Sequence, residues 1–399
     1  MGSSAVPPDV LTLKLRPLNH ADSRTDQEII EGIRNPPSVT SEENVWAFWD
    51  SGYEAMPPWQ KRNVLGWARM LGPSWTVRVL DLGSESPANI FNFLDKNLLP
   101  EYLRDGRTTG RYAGANMSDA VRLPCIHQHG GVWMDVGIML LMHLDQICWS
   151  ALKDPKSKLQ VAVASGDPTL KTGTAENFFI AGRKGNGFIQ RWMQIFLKAW
   201  EGRNNSKGIH AQPLFHHLVR DRNIAPFFQG ASADKLDYFL PYLAYERLRL
   251  LEDPNDGFSG PSYCKNRVLL IDYKEFASGA MLTNDSGPKQ LELFTTRHDE
   301  KQDSESYKEA HKFFTHILSH GAMLKQYHWR DHDVPTLADL WDKPEHHDAD
   351  CKPNTFGEYL RQITSAFTQD RKICSVKFPP VREELLMAGV VDTSDDEMD

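Results

Sequence analysis

The stretch "SDAVRLPCIHQHGGVWMDVG", from Ser118 to Gly137, joins a helix-like segment to a short apolar run through two glycines. Its opening Ser-Asp pair is typical of a helix start, and the glycines can end that helix in the left-handed conformation. "VWMDV" is then a strand with Asp135 near its carboxyl end, where ligands bind in open α/β sheets. The pattern alone leaves Asp135 either as a ligand-binding carboxylate or as one that caps a turn.

The segments on either side of this stretch alternate between strand and helix. Upstream, "NVWAFWD" and "WTVRVLD" have strand patterns around a helix in "PPWQKRNVLGWARMLGP", and "ANIFNFLDKNLL" has a helical pattern. Downstream, "LQVAVAS" and "ENFFIAG" are predicted strands, followed by an amphipathic helix in "FIQRWMQIFLKAW". "RVLLIDY" adds a strand and "YKEAHKFFTHILSHGAML" a helix. This alternation predicts an α/β protein with a largely parallel sheet.

The composition is that of a globular protein, with 399 residues of which 40% are hydrophobic and 25% charged. The net charge of -8 is concentrated in the terminal "DTSDDEMD", which is too polar to pack. The first residues are rich in proline and charge. We therefore predict an N-terminal arm over 1–43, a catalytic domain over 44–380 and an acidic, disordered tail over 381–399.

The sequence shows none of the usual marks of secretion or membrane insertion. The N-terminal segment has no apolar core of a signal peptide, and no run approaches the ~18 apolar residues that span a bilayer. The five cysteines are an odd number, widely spaced and without a CxxC pair, so we do not predict a disulfide framework. These features predict a cytoplasmic protein without a membrane partner.

Other motifs with chemical potential carry weaker signals. No nucleotide-binding P-loop is present, and "GRKGNG" has the wrong spacing for a phosphate-binding loop, so we predict a β-to-α turn there. "HAQPLFHH" and "EHHDADC" contain metal-capable residue types, but neither has the spacing of a zinc site.

The pattern S-D-x-x-R followed by G-G-V-W-x-D resembles the GT-A enzymes of glycosyltransferase family 32 and the capsular polysaccharide synthesis proteins. "VWAFWDSGYEAMPPWQKRNVLGWARMLGPSWTVRVLD" is similar to that family's opening strand–helix–strand, "ENFFIAGRKGNGFIQRW" to its next block, and "MLKQYHW" to a closing Lys/His segment. The resemblance covers roughly residues 44–330. It implies a GT-A-like (Rossmann-like) central mixed sheet flanked by helices, with the N-terminal arm and helical C-terminal additions.

The resemblance also implies the residues of a site. In such enzymes a D-x-D pair holds a divalent metal, Mg²⁺ or Mn²⁺, on the diphosphate of the donor, because these ions prefer oxygen ligands and neutralise a departing phosphate. The residues carried over are Asp119, Arg122 and Asp135 for catalysis, Trp49, Asp50, Asn177, Lys325 and His328 for substrate binding, and Asp135 with His328 for a metal.

Gly137 stands where the family has its second carboxylate, which weakens the case for a metal. This departure, together with the missing membrane anchor, favours another branch of the same resemblance, the fungal arginine-containing cyclodipeptide synthases. These condense Arg-tRNA with a second aminoacyl-tRNA into a cyclic dipeptide, and the carboxylates would bind a guanidinium or ammonium group. We predict such a synthase, with a cytoplasmic nucleotide-sugar-dependent GT-A glycosyltransferase as the alternative. A GT-like binding module without catalysis is a third hypothesis.

A tRNA substrate requires a basic surface. Between Arg183 and Arg222 lie eight basic and two acidic residues, with Trp and Phe interleaved. Basic and aromatic side chains together can hold single-stranded RNA. The same pattern fits an amphipathic helix with a buried aromatic face and a solvated charged face. The predicted RNA-binding residues are Arg183, Lys184, Arg191, Lys198 and Arg203.

Overall fold

The structure is a computed structural model that describes residues 13–19, 22–167, 173–219, 230–299, 302–328 and 334–393. Arg220 and Arg222 of the predicted basic stretch, and Trp329 of the Lys/His segment, lie outside the described residues. The strands are β1 (Leu15–Pro17), β2 (Asn44–Phe48), β3 (Thr76–Leu80), β4 (Gly131–Met134), β5 (Ile138–Leu140), β6 (Val161–Ser165), β7 (Ala175–Gly182), β8 (Leu251–Asp253), β9 (Phe258–Ser259), β10 (Val268–Ile271), β11 (Met323–Lys325), β12 (Phe367–Gln369), β13 (Ser375–Val376) and β14 (Leu386–Met387).

Helices connect and cover these strands. They are α1 (Asp26–Arg34), α2 (Pro58–Leu71), α3 (Glu101–Arg104), α4 (Ala113–His129), α5 (Ser150–Lys153), α6 (Gly187–Trp200), α7 (His216–Val219), α8 (Ala233–Tyr238), α9 (Leu240–Leu250), α10 (Gly260–Arg267), α11 (Lys274–Thr283), α12 (Gly287–Thr295), α13 (Glu305–His320), α14 (Leu337–Trp341) and α15 (Phe356–Ala366). None of the described helices has the length and apolar character needed to cross a membrane.

The central sheet has seven strands in the order β13-β10-β6-β7-β4-β2-β3. β2 pairs in parallel with β3 and with β4, and β10 pairs in parallel with β6. β7 runs antiparallel between β4 and β6, and β13 is an antiparallel edge strand. The sheet is therefore mixed, which confirms the predicted GT-A-like α/β fold, whereas the largely parallel sheet predicted from the alternation of strands and helices was wrong.

Helices pack on both faces of the sheet because its strands are apolar on both sides. Along β2, Val45 and Ala47 face one core, which contains Trp67 of α2. Trp46 and Phe48 point to the opposite face, into the core that also receives α4, α6 and α9. The result is a three-layer α/β/α arrangement with the sheet at its centre.

A third core lies among the C-terminal helices α12 to α15, around Phe294, Trp341 and Phe356. A two-stranded ladder joins this helical unit to the strand that follows β4: β11 pairs antiparallel with β5, and Lys325 lies opposite Ile138. The predicted helical C-terminal additions therefore reach back to the edge where Asp135 lies.

Two segments outside the predicted 44–380 domain pack against it. At the N-terminus, β1 pairs with β12, and α1 contacts α2 and β3. At the C-terminus, β14 pairs with β8, and Arg247 donates to the carbonyl oxygen of Val390 at 3.0 Å. Residues 381–393 therefore do not fit the predicted disordered tail, and residues 394–399 lie outside the described residues.

Two local predictions were wrong. "ANIFNFLDKNLL" forms two short 3₁₀ turns, Ile90–Asn92 and Lys96–Leu98, each capped by an Asn or Asp side chain, in place of one α-helix. Such side chains bond to nearby backbone N–H groups and so interrupt a helix. α4 begins at Ala113, and Ser118 therefore lies inside the helix, where it cannot be the predicted N-cap.

Candidate functional site

The topology brings one end of three elements to the same edge of the sheet. Asp135 directly follows β4, at its carboxyl end. β7 runs antiparallel to β4, so its first residues, including Glu176 and Asn177, lie at this edge as well. α4 leads into β4, which places the more N-terminal part of that helix, with Asp119 and Arg122, beside them.

Asp119, Arg122, Asp135 and Asn177 border a small polar cavity of about 130 Å³. A pocket for a whole drug-sized ligand has roughly 300–1,000 Å³, so this cavity accommodates only part of a ligand, such as a phosphate group or one edge of a sugar ring. The structure thus brings four predicted site residues together. The cavity is lined by Ala115, Ser118, Asp119, Arg122, Asp135, Asn177, Tyr238 and Tyr242.

Arg122 is the buried centre of the polar network. Its guanidinium Nη2 lies 2.6 Å from Asp119 Oδ1 and 3.9 Å from Asp135 Oδ1, and its Nη1 donates to the carbonyl oxygen of Asn177. The side-chain amide of Asn177 donates to the same Asp119 oxygen at 3.2 Å. Arg122 Nε is buried and has no hydrogen-bond acceptor among the described residues. The network therefore fixes Arg122 with one N–H still unsatisfied.

Asp135 begins a tight turn that is held from several sides. Its backbone N–H donates to Phe178 O and its carbonyl accepts from Ile138 N, each at 3.0 Å. Its Oδ1 accepts from Trp133 Nε1 at 3.0 Å, and its Oδ2 accepts from Lys325 Nζ at 2.9 Å. The turn directs the carboxylate into the cavity between two cationic side chains.

Gly137 is required in this turn because another backbone segment approaches closely. A Cβ atom at Gly137 would lie 2.3 Å from the carbonyl oxygen of Gln326 and 3.6 Å from Lys325 Nζ. Gln326 N in turn donates to Gly137 O at 2.8 Å, which continues the ladder of β11 and β5. On the other side of the turn, Asn63 of α2 donates to Val136 O at 3.0 Å. No side chain fits at position 137 unless this ladder moves.

The two carboxylates have pKa values shifted in opposite directions. Burial raises the pKa of Asp119 to about 6, since it outweighs the attraction of Arg122, and the charge of Asp135 adds to the effect. Burial would also raise the pKa of Asp135, but the charges of Lys325 and Arg122 outweigh it and lower that pKa. Groups whose pKa values are pushed apart in one pocket are typical of functional sites.

The sequence analysis did not predict two candidate functional residues, Glu176 and Tyr242. Glu176 is half-buried next to Asn177, and burial raises the pKa of its carboxyl group. Tyr242, on α9, donates its hydroxyl proton to Glu176 Oε2 at 2.7 Å and lines the cavity. The only sequence signal was a carboxylate at the start of the apolar strand "ENFFIAG". Tyr242 gave none, because only the folded chain brings α9 to β7.

The donor set does not fit the Mg²⁺ or Mn²⁺ ion that the resemblance implies. Asp135 is the single carboxylate of the turn, and its two oxygens already accept from Trp133 and Lys325. His328 bonds through Nε2 to Asp342 Oδ2 at 2.8 Å, so this nitrogen already has a partner. No group of three or more His, Cys, Asp or Glu side chains in the described ranges could hold a metal ion. A hard divalent cation needs more oxygen ligands than this.

The remaining predicted substrate-binding residues lie elsewhere. Asp50 is exposed, and its carboxylate accepts from the backbone and hydroxyl of Ser51, so it caps a turn after β2. Trp49 is half-buried beside it. Neither side chain lines the cavity around Asp135. The structure therefore does not bring Trp49 and Asp50 together with the predicted catalytic residues at this cavity.

The predicted RNA-binding residues are largely neutralised by nearby carboxylates. Arg183 pairs with Glu42, Arg191 with Asp256 and Lys198 with Glu201. Arg203 donates to the carbonyl oxygen of Lys207, and Lys184 donates its backbone N–H to Glu42. The interleaved aromatic residues of α6, Trp192, Phe196 and Trp200, are buried in the core. Within α6, which contains Arg191 and Lys198, the pattern is therefore that of an ordinary amphipathic helix.

The mixed sheet and the polar cavity at its strand ends define a GT-A-like protein. The family described as capsular polysaccharide synthesis protein matches residues 18–223, which is more than half of the chain. The chain belongs to this family.

Its relatives extend the likeness over nearly the whole chain. The chain is 37% identical to the O-glycosyltransferase braB of Annulohypoxylon truncatum, over 98% of this chain and 94% of that protein. It is 40% identical to the probable glycosyltransferase FCK3 of Fusarium pseudograminearum (strain CS3096), over 88% of this chain and 90% of that protein. The solved structure of the PaToxG glycosyltransferase aligns with a TM-score of 0.31 and 14% identity, over 55% of this chain and 91% of that one, a likeness that says nothing about the site.

These relatives overturn the main functional prediction. The capsular polysaccharide synthesis branch of the resemblance is confirmed, but the relatives are named as glycosyltransferases and not as tRNA-dependent enzymes. The predicted arginine-containing cyclodipeptide synthase, its class as an aminoacyl transferase and its aminoacyl-tRNA partner were therefore wrong. The prediction was wrong because it depended on Gly137. The absence of a second carboxylate at this position does not indicate a different substrate.

Proposed function

We propose that the protein is a glycosyltransferase that transfers a sugar from a nucleotide sugar to a hydroxyl group of an acceptor. One observation carries the proposal: the cavity beside Asp135 lies at the strand ends of a chain that is similar over 98% of its length to a protein named as an O-glycosyltransferase. The name of that relative supports a hydroxyl acceptor.

The cavity, together with Glu176, which accepts a hydrogen bond from the lining residue Tyr242, offers groups that such a transfer needs. In the reaction, the bond from the anomeric carbon of the sugar to the diphosphate breaks, and the nucleoside diphosphate leaves with the electron pair. The acceptor oxygen bonds to the same carbon and its proton is released. Tyr238, which is 39% exposed, provides an aromatic wall for a sugar ring. Glu176, with its raised pKa, is the carboxylate that we assign to take the acceptor proton.

A panel of donors tests the proposal. Purified full-length protein is titrated by calorimetry with UDP-glucose, UDP-galactose, UDP-N-acetylglucosamine and GDP-mannose. Each donor is then incubated with a set of small phenols and alcohols, and products are sought by mass spectrometry as acceptor plus sugar minus water. We expect saturable binding of at least one donor and a glycosylated product. The proposal fails if no donor binds and no acceptor gains a sugar.

A further inference from the structure

We infer that the ammonium group of Lys325, held on Asp135 across the Gly137 turn, supplies the positive charge that the donor diphosphate needs, and that the protein binds and uses its donor without a divalent metal. This inference rests on the proposed function. It names the Lys325 ammonium as the group that binds the phosphate of the departing nucleoside diphosphate. It follows from the same observations that leave Mg²⁺ and Mn²⁺ without a ligand set.

The ammonium group keeps hydrogen-bonding capacity. Lys325 Nζ donates to Asp135 Oδ2 at 2.9 Å and lies 5.2 Å from the centre of the Phe178 ring. An ammonium has three N–H donors, and Asp135 is its hydrogen-bond acceptor among the described residues. The side chain is 16% exposed, and the carboxylate that it binds lines the cavity. Lysine is a compact point charge that suits phosphate oxygens.

The same strand pairing that excludes a second carboxylate brings in this lysine. An aspartate at position 137 would begin with a Cβ atom 2.3 Å from Gln326 O, which the ladder between β5 and β11 does not allow. That ladder places Lys325 opposite Ile138, next to the turn. A metal-binding carboxylate at 137 and the lysine at its observed position are therefore mutually exclusive.

The Lys325 ammonium disfavours a metal cation on Asp135 Oδ2. Arg122 is occupied by Asp119 at 2.6 Å and by the carbonyl oxygen of Asn177. A divalent ion placed on Asp135 Oδ2 would meet the Lys325 ammonium 2.9 Å from that oxygen and would be repelled by it. A phosphate oxygen that approaches the other N–H donors of Lys325, on the side away from Asp135 Oδ2, gains charge-assisted hydrogen bonds.

The sugar transfer then needs no metal ion to stabilise the departing diphosphate. The bond between the anomeric carbon and the diphosphate oxygen breaks, and the electron pair stays on that oxygen. The negative charge that develops there is stabilised by the donors of Lys325, which need not give up a proton. The acceptor oxygen forms the new bond to the anomeric carbon, and its proton passes to the Glu176 carboxylate.

The test compares Lys325→Met and Lys325→Arg with a matched control, Lys198→Met. Lys198 also pairs with a carboxylate, Glu201, but lies on the exposed face of α6. The Kd values of UDP and GDP are measured by calorimetry for each protein after EDTA treatment and again with added Mn²⁺. Thermal melting shows that each variant is folded, and Lys325→Arg, which keeps the charge, guards against a packing defect at Lys325.

We expect the nucleotide that binds the unaltered protein to do so equally well with EDTA and with Mn²⁺. Losing a hydrogen bond to a charged group should weaken its binding to the Lys325→Met variant by roughly 10- to 100-fold, with Lys325→Arg in between and Lys198→Met unchanged. Donor turnover by the unaltered protein should survive EDTA.

The outcomes separate the two proposals. If a donor is bound and turned over only with Mn²⁺, or if Lys325→Met binds the nucleotide as tightly as Lys198→Met does, the metal-free role of Lys325 is wrong while the glycosyltransferase proposal stands. If neither nucleotide nor any donor binds under either condition, the glycosyltransferase proposal itself is wrong, and the role of Lys325 falls with it.

Discussion

Asp350 and Asp135 are both carboxylates between two cationic side chains, yet their surroundings differ. Asp350 is fully buried between Arg62 of α2 and Arg361 of α15. Arg62 binds both of its oxygens, and Arg361 donates through Nε to Oδ2 at 3.0 Å. The pKa of Asp350 is lowered because these two charges outweigh the effect of burial. The two arginines bind this one carboxylate and so join α2 to α15.

The Asp135 carboxylate is bound less closely by its cationic partners and is partly exposed. It is 28% exposed, its distance to Arg122 is 3.9 Å, and Arg122 is bound more closely to Asp119. Lys325 contacts it through one donor only. The Asp135 carboxylate itself borders a cavity, whereas the Asp350 carboxylate is fully buried and only its partners Arg62 and Arg361 reach a cavity.

The difference shows how to separate a structural ion pair from a functional one in the same chain. "EHHDADC", which contains Asp350, looked metal-capable in the sequence, and Asp135 looked incomplete without a second carboxylate. Proximity to opposite charge does not distinguish the two, since both have it. Exposure of the carboxylate and spare donors do, because a ligand needs groups that the fold has not already used. An adjacent cavity does not distinguish them, because Arg62 and Arg361 also line a cavity, of about 540 Å³.

The largest effect that we predict is on stability, at Asp350. Asp350→Asn keeps the shape of the side chain but leaves Arg62 and Arg361 without their charge partner. Removing one member of a buried ion pair costs on the order of 3–5 kcal/mol, and we expect a loss of this size in the free energy of unfolding measured by urea denaturation. Nucleotide binding by the molecules that remain folded should be unchanged.

Asp135→Asn is the matched control for that variant, with the opposite expectation. Because Asp135 is partly exposed, its loss should change the free energy of unfolding by less than about 1 kcal/mol, while donor turnover falls. The distinction between the two aspartates is wrong if Asp135→Asn unfolds as readily as Asp350→Asn, or if it turns over donor at the rate of the unaltered protein.

The fold could be predicted because its signals are local. Apolar strands and amphipathic helices alternate along residues 44–200, and the structure has strands β2, β3, β6 and β7 and helices α2 and α6 where those patterns lie. The helix predicted in "ANIFNFLDKNLL" failed because Asn89 and Asp95 each accept a hydrogen bond from a backbone N–H two residues later. Such a local competition is decided by geometry and not by periodicity.

The site could be predicted only as far as the motif extended. Asp119, Arg122 and Asp135 lie within one stretch, and the fold needed only to bend that stretch back on itself. The meaning of Gly137 depended on Gln326, far along the chain, whose carbonyl oxygen fills the space of a side chain at 137. A single sequence does not contain that contact. The sequence therefore left two explanations open for the glycine at 137. The second carboxylate is absent either because the substrate is different or because packing leaves no room for it.

A second prediction concerns pH and compares Asp119 with Asp350. The pKa of Asp119 is raised to about 6 from 3.8, so the folded state holds its proton more tightly than the unfolded state. Its contribution to stability is therefore complete below the unfolded value and is lost as pH rises through the folded one. Asp350 has a lowered pKa, so its contribution is present above 3.8 and is lost as pH falls below it.

Urea denaturation at several pH values checks both signs. The stability of the unaltered protein relative to Asp119→Asn should fall as pH rises from 3.8 to about 6. Relative to Asp350→Asn, it should stay level over that range and fall only in stronger acid. A level difference for Asp119→Asn would mean that Arg122 keeps the Asp119 carboxylate ionised throughout, and that burial does not control its pKa.

The smallest effect that we predict concerns the ion pair of Lys198 with Glu201 on α6. Their side chains are 45% and 67% exposed, so water screens the pair and removing it should cost less than about 0.5 kcal/mol of unfolding free energy. Lys198→Met, measured by the urea midpoint, should therefore match the unaltered protein, as its nucleotide binding should. A loss above about 1 kcal/mol would contradict this, because it would show that exposed pairs on this helix stabilise the fold as the buried Asp350 cluster does. A lysine paired with a carboxylate should matter in this protein only where, as at Lys325, a cavity adjoins the pair.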